Sequence, residues 1–205
     1  MNGNMEINVI ILKKILFLIH TPKMRKITNE ELHRPTVDEF AAMGRIPVVV
    51  VLDNVRSAQN VGAFFRTSDA FAIERVLLCG ITATPPSRDI HKSALGAELT
   101  VEWAHYPTTV ECAAALRDEG YTLLCVEQVE GAVMLDELEV EKDKKYALIF
   151  GNEVAGVDQA VVDMCDGAIE IPQAGTKHSI NVSVAGGVVL WPFFAALRSL
   201  IANRE

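Results

Sequence analysis

The sequence of 205 residues has few of the features that mark a specialised class of protein. Aromatic residues make up 6% and charged residues 22% of the chain, an ordinary composition for a soluble globular domain. The four cysteines form no C-x-x-C pair, and their spacings suit neither a zinc site nor a disulfide framework. We therefore expect four reduced, mostly buried thiols, no bound metal and a cytoplasmic location; the cysteines are Cys79, Cys112, Cys125 and Cys165.

The N-terminal region lacks a run of apolar residues long enough to cross a membrane, which takes about 20 residues. Residues 9–19 are apolar but include Lys13 and Lys14, and neither a basic n-region nor a small-residue cleavage site flanks them. This stretch therefore predicts neither a membrane span nor a signal peptide. Two interpretations stay open: an upstream start, with the working protein beginning near Met24, or an additional hydrophobic element packed on the domain.

The chain also has no excess of basic residues, and its formal net charge is −8. Phosphate binding favours clustered Lys and Arg, so the charge argues mildly against a nucleic-acid partner. The acidic residues are concentrated, however: residues 127–143 hold seven acids against one base, Lys142. The rest of the chain is close to neutral and is compatible with a nucleic-acid-binding face elsewhere.

Alternating strand and helix patterns predict an α/β domain with a parallel, doubly wound sheet. Buried strands are indicated by apolar runs, and helices by apolar periodicity and capping boxes. The capping boxes Thr28-x-x-Glu31 and Thr36-x-x-Glu39 predict two short leading helices. We expect an extension (1–23), a helical leader (24–46) and one domain (47–205), with strands at 47–52, 75–79, 121–126, 146–150 and 168–171 and helices at 60–71, 108–119, 158–165 and 180–200.

Three segments gather polar residues and glycines directly after predicted strands: residues 52–70, 150–157 and 171–187. Ligands of open α/β sheets bind outside the carboxyl ends of the strands, so these segments are the candidates for a site. In the first segment, Asn60 is either a helix N-cap or a site residue. Arg66, in a partly apolar helix, needs a carboxylate, a phosphate or water as its partner.

The other two segments allow similar pairs of interpretations. Gly151 permits close approach of the backbone to a ligand, and Glu153 is either an acid favoured at a helix start or a binding carboxylate. Ser179 is a candidate N-cap of the last helix. The run Ala185-Gly186-Gly187 lowers helix stability, so we expect it to pack closely against another backbone.

The three segments resemble the three motifs of the SpoU (TrmH-like) RNA methyltransferases of the SPOUT superfamily. Residues 60–70 (N-V-G-A-F-F-R-T-S-D-A) resemble the first motif and residues 150–156 (F-G-N-E-V-A-G) the second. Residues 171–185 (I-P-Q-A-G-T-K-H-S-I-N-V-S-V-A) resemble the third, with Ile180 and Gln173 departing from the usual residues. All three occur in the family's order and spacing, and the resemblance covers residues 48–197.

The resemblance implies a SPOUT-type parallel sheet flanked by helices, with a deep C-terminal trefoil knot, and a homodimer with sites at its interface. It implies transfer of a methyl group from S-adenosylmethionine to a ribose 2′-hydroxyl of an RNA. The residues that match the family's cofactor-binding positions are Val126, Glu127, Gly151, Ile171, Ser179 and Ile180. Those that match its catalytic positions are Asn60, Arg66, Glu153, Ser179 and Asn181.

The roles of these residues follow from their chemistry. A guanidinium with a pKa above about 12 is an awkward base, so Arg66 is expected to bind a phosphate and stabilise the forming alkoxide. Asn60, Ser179 and Asn181 would position the ribose and Arg66, while Glu153 would organise its loop or pair with Arg66. The general base stays open, with His178 as one candidate. Further candidate contacts to RNA phosphates are His91, Lys92, Lys177 and His178.

Two other functions fit parts of the sequence. A nucleotide-binding oxidoreductase suits the strand–helix alternation, but no G-x-G-x-x-G follows any predicted strand. A non-catalytic RNA-binding or assembly factor suits the scaffold, but all five catalytic positions are filled. Transfer RNA is slightly favoured over ribosomal RNA, because a compact dimer can bind a small folded substrate. Neither the nucleotide nor a need for a partner protein follows from the sequence.

Overall fold

The computed structural model describes residues 24–201, so the expected extension, residues 1–23, lies outside the described residues. The chain divides into two compact units, with the boundary between Thr36 and Val37. In the described part of the first unit, a 3-10 helix spans Glu30–Leu32. The Glu31 carboxylate accepts a hydrogen bond from the Thr28 backbone N–H at 2.7 Å. One half of the first predicted capping box is therefore present, although the N-cap residue of this short helix is Asn29.

The second unit is an α/β domain built on a seven-stranded parallel sheet in the order β3-β2-β1-β6-β4-β7-β5. Its strands are β1 (Ile46–Asp53), β2 (Ile73–Cys79), β3 (Glu102–Tyr106), β4 (Tyr121–Val126), β5 (Val133–Met134), β6 (Lys145–Phe150) and β7 (Gly167–Glu170). Its helices are α1 (Val37–Ala42), α2 (Ala58–Ala70), α3 (Arg88–Ala94), α4 (Thr109–Asp118), α5 (Gln159–Val162) and α6 (Val182–Leu197).

Strand β1 lies between β2 and β6 in the interior of the sheet and is buried on both faces, as its continuous run of β-branched residues predicts. Val50 pairs with Val76 of β2 on one side and with Leu148 of β6 on the other. Val48 and Val50 face one hydrophobic cluster, and Val49 faces the other. The first cluster is covered by α2, α3 and α6, and the second by α4 and α5.

Helix α6 packs on the first face of the sheet and against α2. A Cβ at Gly186 would meet the Phe64 ring at 2.3 Å, so the expected close packing occurs against an aromatic side chain rather than a backbone. Together with the 3-10 turn that follows it, the stretch Val182–Leu200 has the length and composition of a membrane span. Its buried residues, which include Val189 and Phe193, belong to the core of the α/β domain.

The structure shifts several predicted boundaries and adds elements that the pattern did not predict. Helix α2 begins at Ala58 with Ser57 as its N-cap, and α6 begins at Val182 with Asn181 as its N-cap. Asn60 and Ser179 are therefore not N-caps. Helix α3 and strand β3 were not predicted, because α3 is short and β3 is a largely exposed edge strand without an apolar run.

Candidate active site

The parallel sheet brings the carboxyl ends of β4, β6 and β7 to one edge, where they open onto a cavity of about 280 Å³. This edge is the usual position of ligands in α/β sheets. The cavity is lined by residues from all three strand ends and from the loop before α6: Val126, Glu127, Gln128, Phe150, Gly151, Asn152, Glu153, Val154, Ala155, Gly156, Ile169, Glu170, Ile171, Gln173, His178, Ser179, Ile180, Val182 and Ala185.

All six residues predicted to bind the cofactor line this one cavity, although they come from three separate parts of the chain. They are Val126, Glu127, Gly151, Ile171, Ser179 and Ile180. The structure therefore assembles the residues that the motifs selected. Their role in binding stays a prediction.

Gly151 is required for a different reason from the one predicted. A Cβ at this position would lie 2.1 Å from the Gly156 carbonyl carbon and 2.2 Å from the Val157 nitrogen. The chain forms a tight loop here, closed by two backbone hydrogen bonds of 2.9 Å between Asn152 and Gly156. The glycine thus makes room for the protein's own backbone and shapes the cavity wall.

Glu127, directly after β4, holds the same loop from the other side. Its carboxylate accepts hydrogen bonds from the backbone N–H groups of Val157 and Gln128, both at 2.9 Å. A Cβ at Gly156 would lie 2.2 Å from this carboxylate, and Gly156 has a φ of 72°. The fit of Glu127 against the loop therefore depends on a glycine at this position.

A chain of hydrogen bonds joins the three sequence motifs. The Asn60 amide nitrogen donates to the Glu153 carboxylate at 2.9 Å, and the Asn181 amide nitrogen donates to the Asn60 amide oxygen at 3.1 Å. The Asn181 amide oxygen caps α6 by accepting from the backbone N–H of Ser183 at 2.9 Å. Both amide orientations are fixed by these partners, because the carboxylate can only accept and the backbone N–H can only donate.

Glu153 is the anionic end of this chain. Its carboxylate also accepts from the backbone N–H groups of Arg56 and Ser57, each at 3.0 Å. Partial burial raises the pKa of Glu153, but the hydrogen bonds from Arg56, Asn60 and Ser57 outweigh it and leave the pKa below its ordinary value. Glu153 thus holds the loop before α2 and forms no ion pair with Arg66 among the described residues; its role in function stays a prediction.

Sequence reasoning missed Ser183, whose hydroxyl lies 2.6 Å from the Asn181 amide oxygen and 3.3 Å from the Asn60 amide oxygen. Its place two residues after Asn181 in the third motif was the available signal. Each of the two amide nitrogens keeps a second hydrogen that has no partner in the described part of the chain. The amides of Asn60 and Asn181 therefore offer N–H donors in a fixed direction. The Glu153 carboxylate orients the first amide, and the N-terminus of α6 orients the second.

A buried carboxylate beneath the site was also missed. Asp53, at the end of β1, is 2% exposed and accepts from the Thr109 hydroxyl, the Asn54 amide and the Asp158 backbone N–H, the last at 3.0 Å. These bonds tie β1 to the N-termini of α4 and α5. The Asn152 amide donates to the Asn54 carbonyl at 2.7 Å and links the ends of β1 and β6.

Arg66 lies outside the cluster. It is exposed on α2, six residues after Asn60, which places it about 9 Å further along the helix axis. It makes no hydrogen bond or ion pair to other residues within 24–201. The predicted contact of Arg66 with Asn60, Ser179 or Asn181 does not occur in the described part of the chain.

The four other candidate RNA contacts are all exposed but differ in their surroundings. His178 lines the cavity and Lys177 precedes it in the same loop. Lys92 forms an ion pair with Asp89 at 3.0 Å on the surface of α3. His91 contacts the buried Glu98 carboxylate at 2.5 Å. Among residues 24–201, no group of three or more metal-ligating side chains is placed to hold a metal ion.

Comparison with known proteins places this fold and site in a family. The family model described as "SpoU rRNA Methylase family" matches residues 47–191. The chain is 30% identical over 174 residues to a 23S rRNA (guanosine-2′-O-)-methyltransferase of Vibrio cholerae, a match that covers 85% of this chain and 68% of the relative. It is 30% identical over 161 residues to a tRNA (guanosine(18)-2′-O)-methyltransferase of Thermus thermophilus, covering 78% of this chain and 81% of the relative.

Two solved structures agree with these relatives. The AdoMet-bound rRNA methyltransferase from Sinorhizobium meliloti is 27% identical, with a TM-score of 0.69, and the match covers 80% of this chain and 61% of that one. The TrmH/SpoU tRNA modifying enzyme of A. aeolicus is 25% identical, with a TM-score of 0.67, and the match covers 76% of this chain and 78% of that one. The chain thus spans about three fifths of the Sinorhizobium protein. By its motifs, its sheet and these matches, the chain belongs to the SpoU RNA methylase family.

Proposed function

We propose that this protein transfers a methyl group from S-adenosylmethionine to the 2′-hydroxyl of a ribose in RNA. One observation carries the proposal. At one edge of the sheet, the cavity lined by the ends of β4, β6 and β7 lies beside the hydrogen-bonded amides of Asn60 and Asn181. The relatives named above are ribose 2′-O-methyltransferases, and one similar structure contains AdoMet.

The cavity has the chemistry that this cofactor needs. Its volume of about 280 Å³ is close to the lower end of the range for small-molecule sites, ~300 Å³. Apolar side chains such as Val126, Ile171 and Ile180 suit an adenine ring, and the carboxylates of Glu127 and Glu170 favour a cationic ligand. When bound there, S-adenosylmethionine supplies a methyl group on a positively charged sulfur.

The amide cluster is suited to hold the ribose. The unpartnered N–H groups of Asn60 and Asn181 would donate to the ribose oxygens, and Glu153 fixes their direction from behind. In-line transfer depends on alignment of the reacting atoms, so rigid donors contribute by orientation. Ser179 lines the cavity wall and is proposed to contact the cofactor and the ribose.

Arg66 is proposed to bind an RNA phosphate rather than to remove a proton. A guanidinium is a donor without an acceptor atom, and Arg66 is exposed and has no partner among residues 24–201, which suits it to a phosphate. His178, Lys177, His91 and Lys92 are proposed as further phosphate contacts. The proton acceptor for the 2′-hydroxyl stays unassigned, and His178, which lines the cavity, is one candidate.

We further propose a homodimer formed through the outer face of α6. Val184, Val188 and Trp191 recur there at helical spacing and are 55%, 41% and 54% exposed. Such an apolar stripe on one helix is typical of a buried interface. The family's C-terminal knot is proposed for this chain as well: β7 inserts between β4 and β5, and α6 returns to pack on α2 and β1.

The deciding experiment measures methyl transfer from labelled S-adenosylmethionine to unmodified tRNA and, separately, to rRNA, followed by nuclease digestion. We expect a 2′-O-methylated nucleotide from one pool, with tRNA slightly favoured. Binding of S-adenosylmethionine without transfer to either pool would instead indicate a missing partner protein or a non-catalytic factor. Absence of binding would refute the proposed function altogether.

A further inference from the structure

The wall of the cavity carries negative charge. Glu127, Glu153 and Glu170 are among its lining residues, and none of the lining residues is a lysine or an arginine. A cationic cofactor suits such a wall, but a phosphate that comes close to it is repelled. RNA that places a ribose here therefore needs a cation fixed near the target nucleotide.

Glu153 brings this charge next to the proposed ribose donor. Its carboxylate accepts hydrogen bonds from the Asn60 amide at 2.9 Å and from the backbone N–H groups of Arg56 and Ser57, each at 3.0 Å. All three donors are neutral, and Glu153 forms no ion pair among residues 24–201. Its negative charge therefore has no cationic partner in the described part of the chain.

The loop between β1 and α2 places an arginine at the same carboxylate. The Arg56 backbone N–H bonds Oε2 of Glu153, and the Asn60 amide bonds Oε1. Arg56 is exposed, and its guanidinium makes no hydrogen bond or ion pair within residues 24–201. The backbone of Arg56 is thus held close to the proposed ribose donor, while its side chain stays available to a ligand.

The part of this loop that precedes Arg56 is fixed as well. The Val55 backbone N–H donates to the Thr82 hydroxyl at 3.0 Å, in a buried position. The Asn152 amide donates to the Asn54 carbonyl at 2.7 Å and so ties the loop to the cavity wall. Because the backbone is already ordered, only the side chain of Arg56 loses freedom when it binds a ligand, which favours affinity.

We infer that Arg56 binds an RNA phosphate next to the target ribose and so holds the RNA at a site with an acidic wall. The inference rests on the proposed function, which makes RNA the substrate. A guanidinium can donate two parallel N–H bonds to phosphate oxygens. The contact is separate from the one proposed for Arg66, since Arg56 precedes Asn60 by four residues and Arg66 follows it by six on α2.

The test compares full-length wild type and R56Q in methyl transfer from labelled S-adenosylmethionine to the RNA pool, tRNA or rRNA, that the wild type methylates. We expect R56Q to raise the KM for RNA about tenfold and to change kcat by less than about twofold, because a phosphate contact is made equally in the bound state and the transition state. The slope of log affinity against log salt should fall by about 1.

Two further variants separate this contact from a general effect of charge. R56K keeps the charge but not the two parallel donors, so it should restore the salt slope and recover only part of the affinity. R198Q is the matched control. Arg198 is also exposed and unpaired within residues 24–201, but it lies at the C-terminal end of α6, about 25 Å along the helix from Asn181. R198Q should match the wild type in KM and in salt slope.

Each contrary result overturns the inference. An unchanged KM in R56Q would remove the phosphate contact, and an equal loss in R198Q would reduce it to the overall charge of the protein. A fall in kcat, or a loss of S-adenosylmethionine binding by calorimetry, would mean that Arg56 acts in the reaction or maintains the loop instead. If the wild type binds S-adenosylmethionine but methylates neither RNA, the proposed function fails and this inference with it, whereas failure of the inference alone requires an active wild type.

Discussion

At the scale of single residues, the candidate site depends on positions where the surrounding atoms leave no space for a larger side chain. Gly151 is the clearest case, because the backbone of Gly156 and Val157 occupies the position of a Cβ. Backbone atoms cannot move aside as the end of a side chain can. The cavity wall is therefore set by a residue that has no functional group of its own.

We predict that Gly151→Ala lowers the free energy of unfolding by about 3 kcal/mol and abolishes binding of S-adenosylmethionine, because the loop cannot close around a methyl group. Urea unfolding and calorimetry measure the two effects. Gly175→Ala is the matched control: no atom lies within 4 Å of its Cβ position, so stability should stay within about 0.5 kcal/mol of the wild type. Equal stability of both variants would contradict the prediction.

Glu153 gives a residue-scale prediction about pH. Its pKa is lowered in the folded protein, so its charge stabilises the fold above the ordinary glutamate pKa of about 4.3, and this contribution is lost as the pH falls through the lower folded value. Glu153→Gln should therefore be less stable than the wild type near neutrality, by at most about 1 kcal/mol because the side chain is exposed.

The measurement is urea unfolding of both proteins from neutral to acid pH. The difference between them should shrink as Glu153 becomes protonated. A difference that stays constant down to the lowest pH would mean that the carboxylate charge contributes nothing.

At the scale of elements, one residue at the N-terminus of α6 both caps the helix and belongs to the hydrogen-bonded chain of the candidate site. Asn181 caps the helix through its amide oxygen and bonds Asn60 through its amide nitrogen. Serine also caps helices well, but it has no amide N–H that could donate to Asn60. The two roles of Asn181 can therefore be separated by substitution.

We predict that Asn181→Ser keeps the stability of the wild type to within a few tenths of a kcal/mol, yet loses about a hundredfold in methyl-transfer rate, since the ribose donor is gone. Asn181→Ala should lose the same activity and about 1 kcal/mol of stability in addition. Thermal unfolding and single-turnover transfer measure both. Full activity in Asn181→Ser would show that the amide nitrogen has no part in the reaction.

The elements that could be predicted from the sequence are those with strong local signals. The buried run of β1 is one example, and the helix predicted at 108–119 is another, since α4 occurs there with Thr108 as its N-cap. The edge strand β3 and helix α3 carry no such signal, since their residues are mostly exposed or held by contacts distant in sequence.

The site was predictable in its members but not in its connections. The motifs selected residues that line one cavity or form one hydrogen-bonded chain. The sequence predicted neither the supporting role of the buried Asp53 nor the contact between His91 and Glu98, because tertiary packing sets the partners of these residues. Arg66 has no partner among residues 24–201, so its proposed place in the site depends on the RNA or on a second copy of the chain.

At the scale of the whole molecule, the open question is what covers the outer face of α6. This helix is apolar nearly all round, yet only 28% of the stretch is buried within the described chain. Helices of that composition normally have both faces covered. Phe71 and Phe194 extend the apolar face, because both rings lie tilted against Trp191 with centroids 5.9 Å from that of the indole.

We predict that Val188→Glu converts the proposed dimer to a monomer, because burying an unpaired carboxylate in an apolar interface costs several kcal/mol. Sedimentation velocity measures the change. Val110→Glu is the matched control, since Val110 and Val188 are both 41% exposed but Val110 lies on α4, on the opposite face of the sheet. Dissociation by both substitutions would point to a general loss of folding, and a wild type that is itself monomeric would remove the proposed interface and leave α6 to be covered by the RNA.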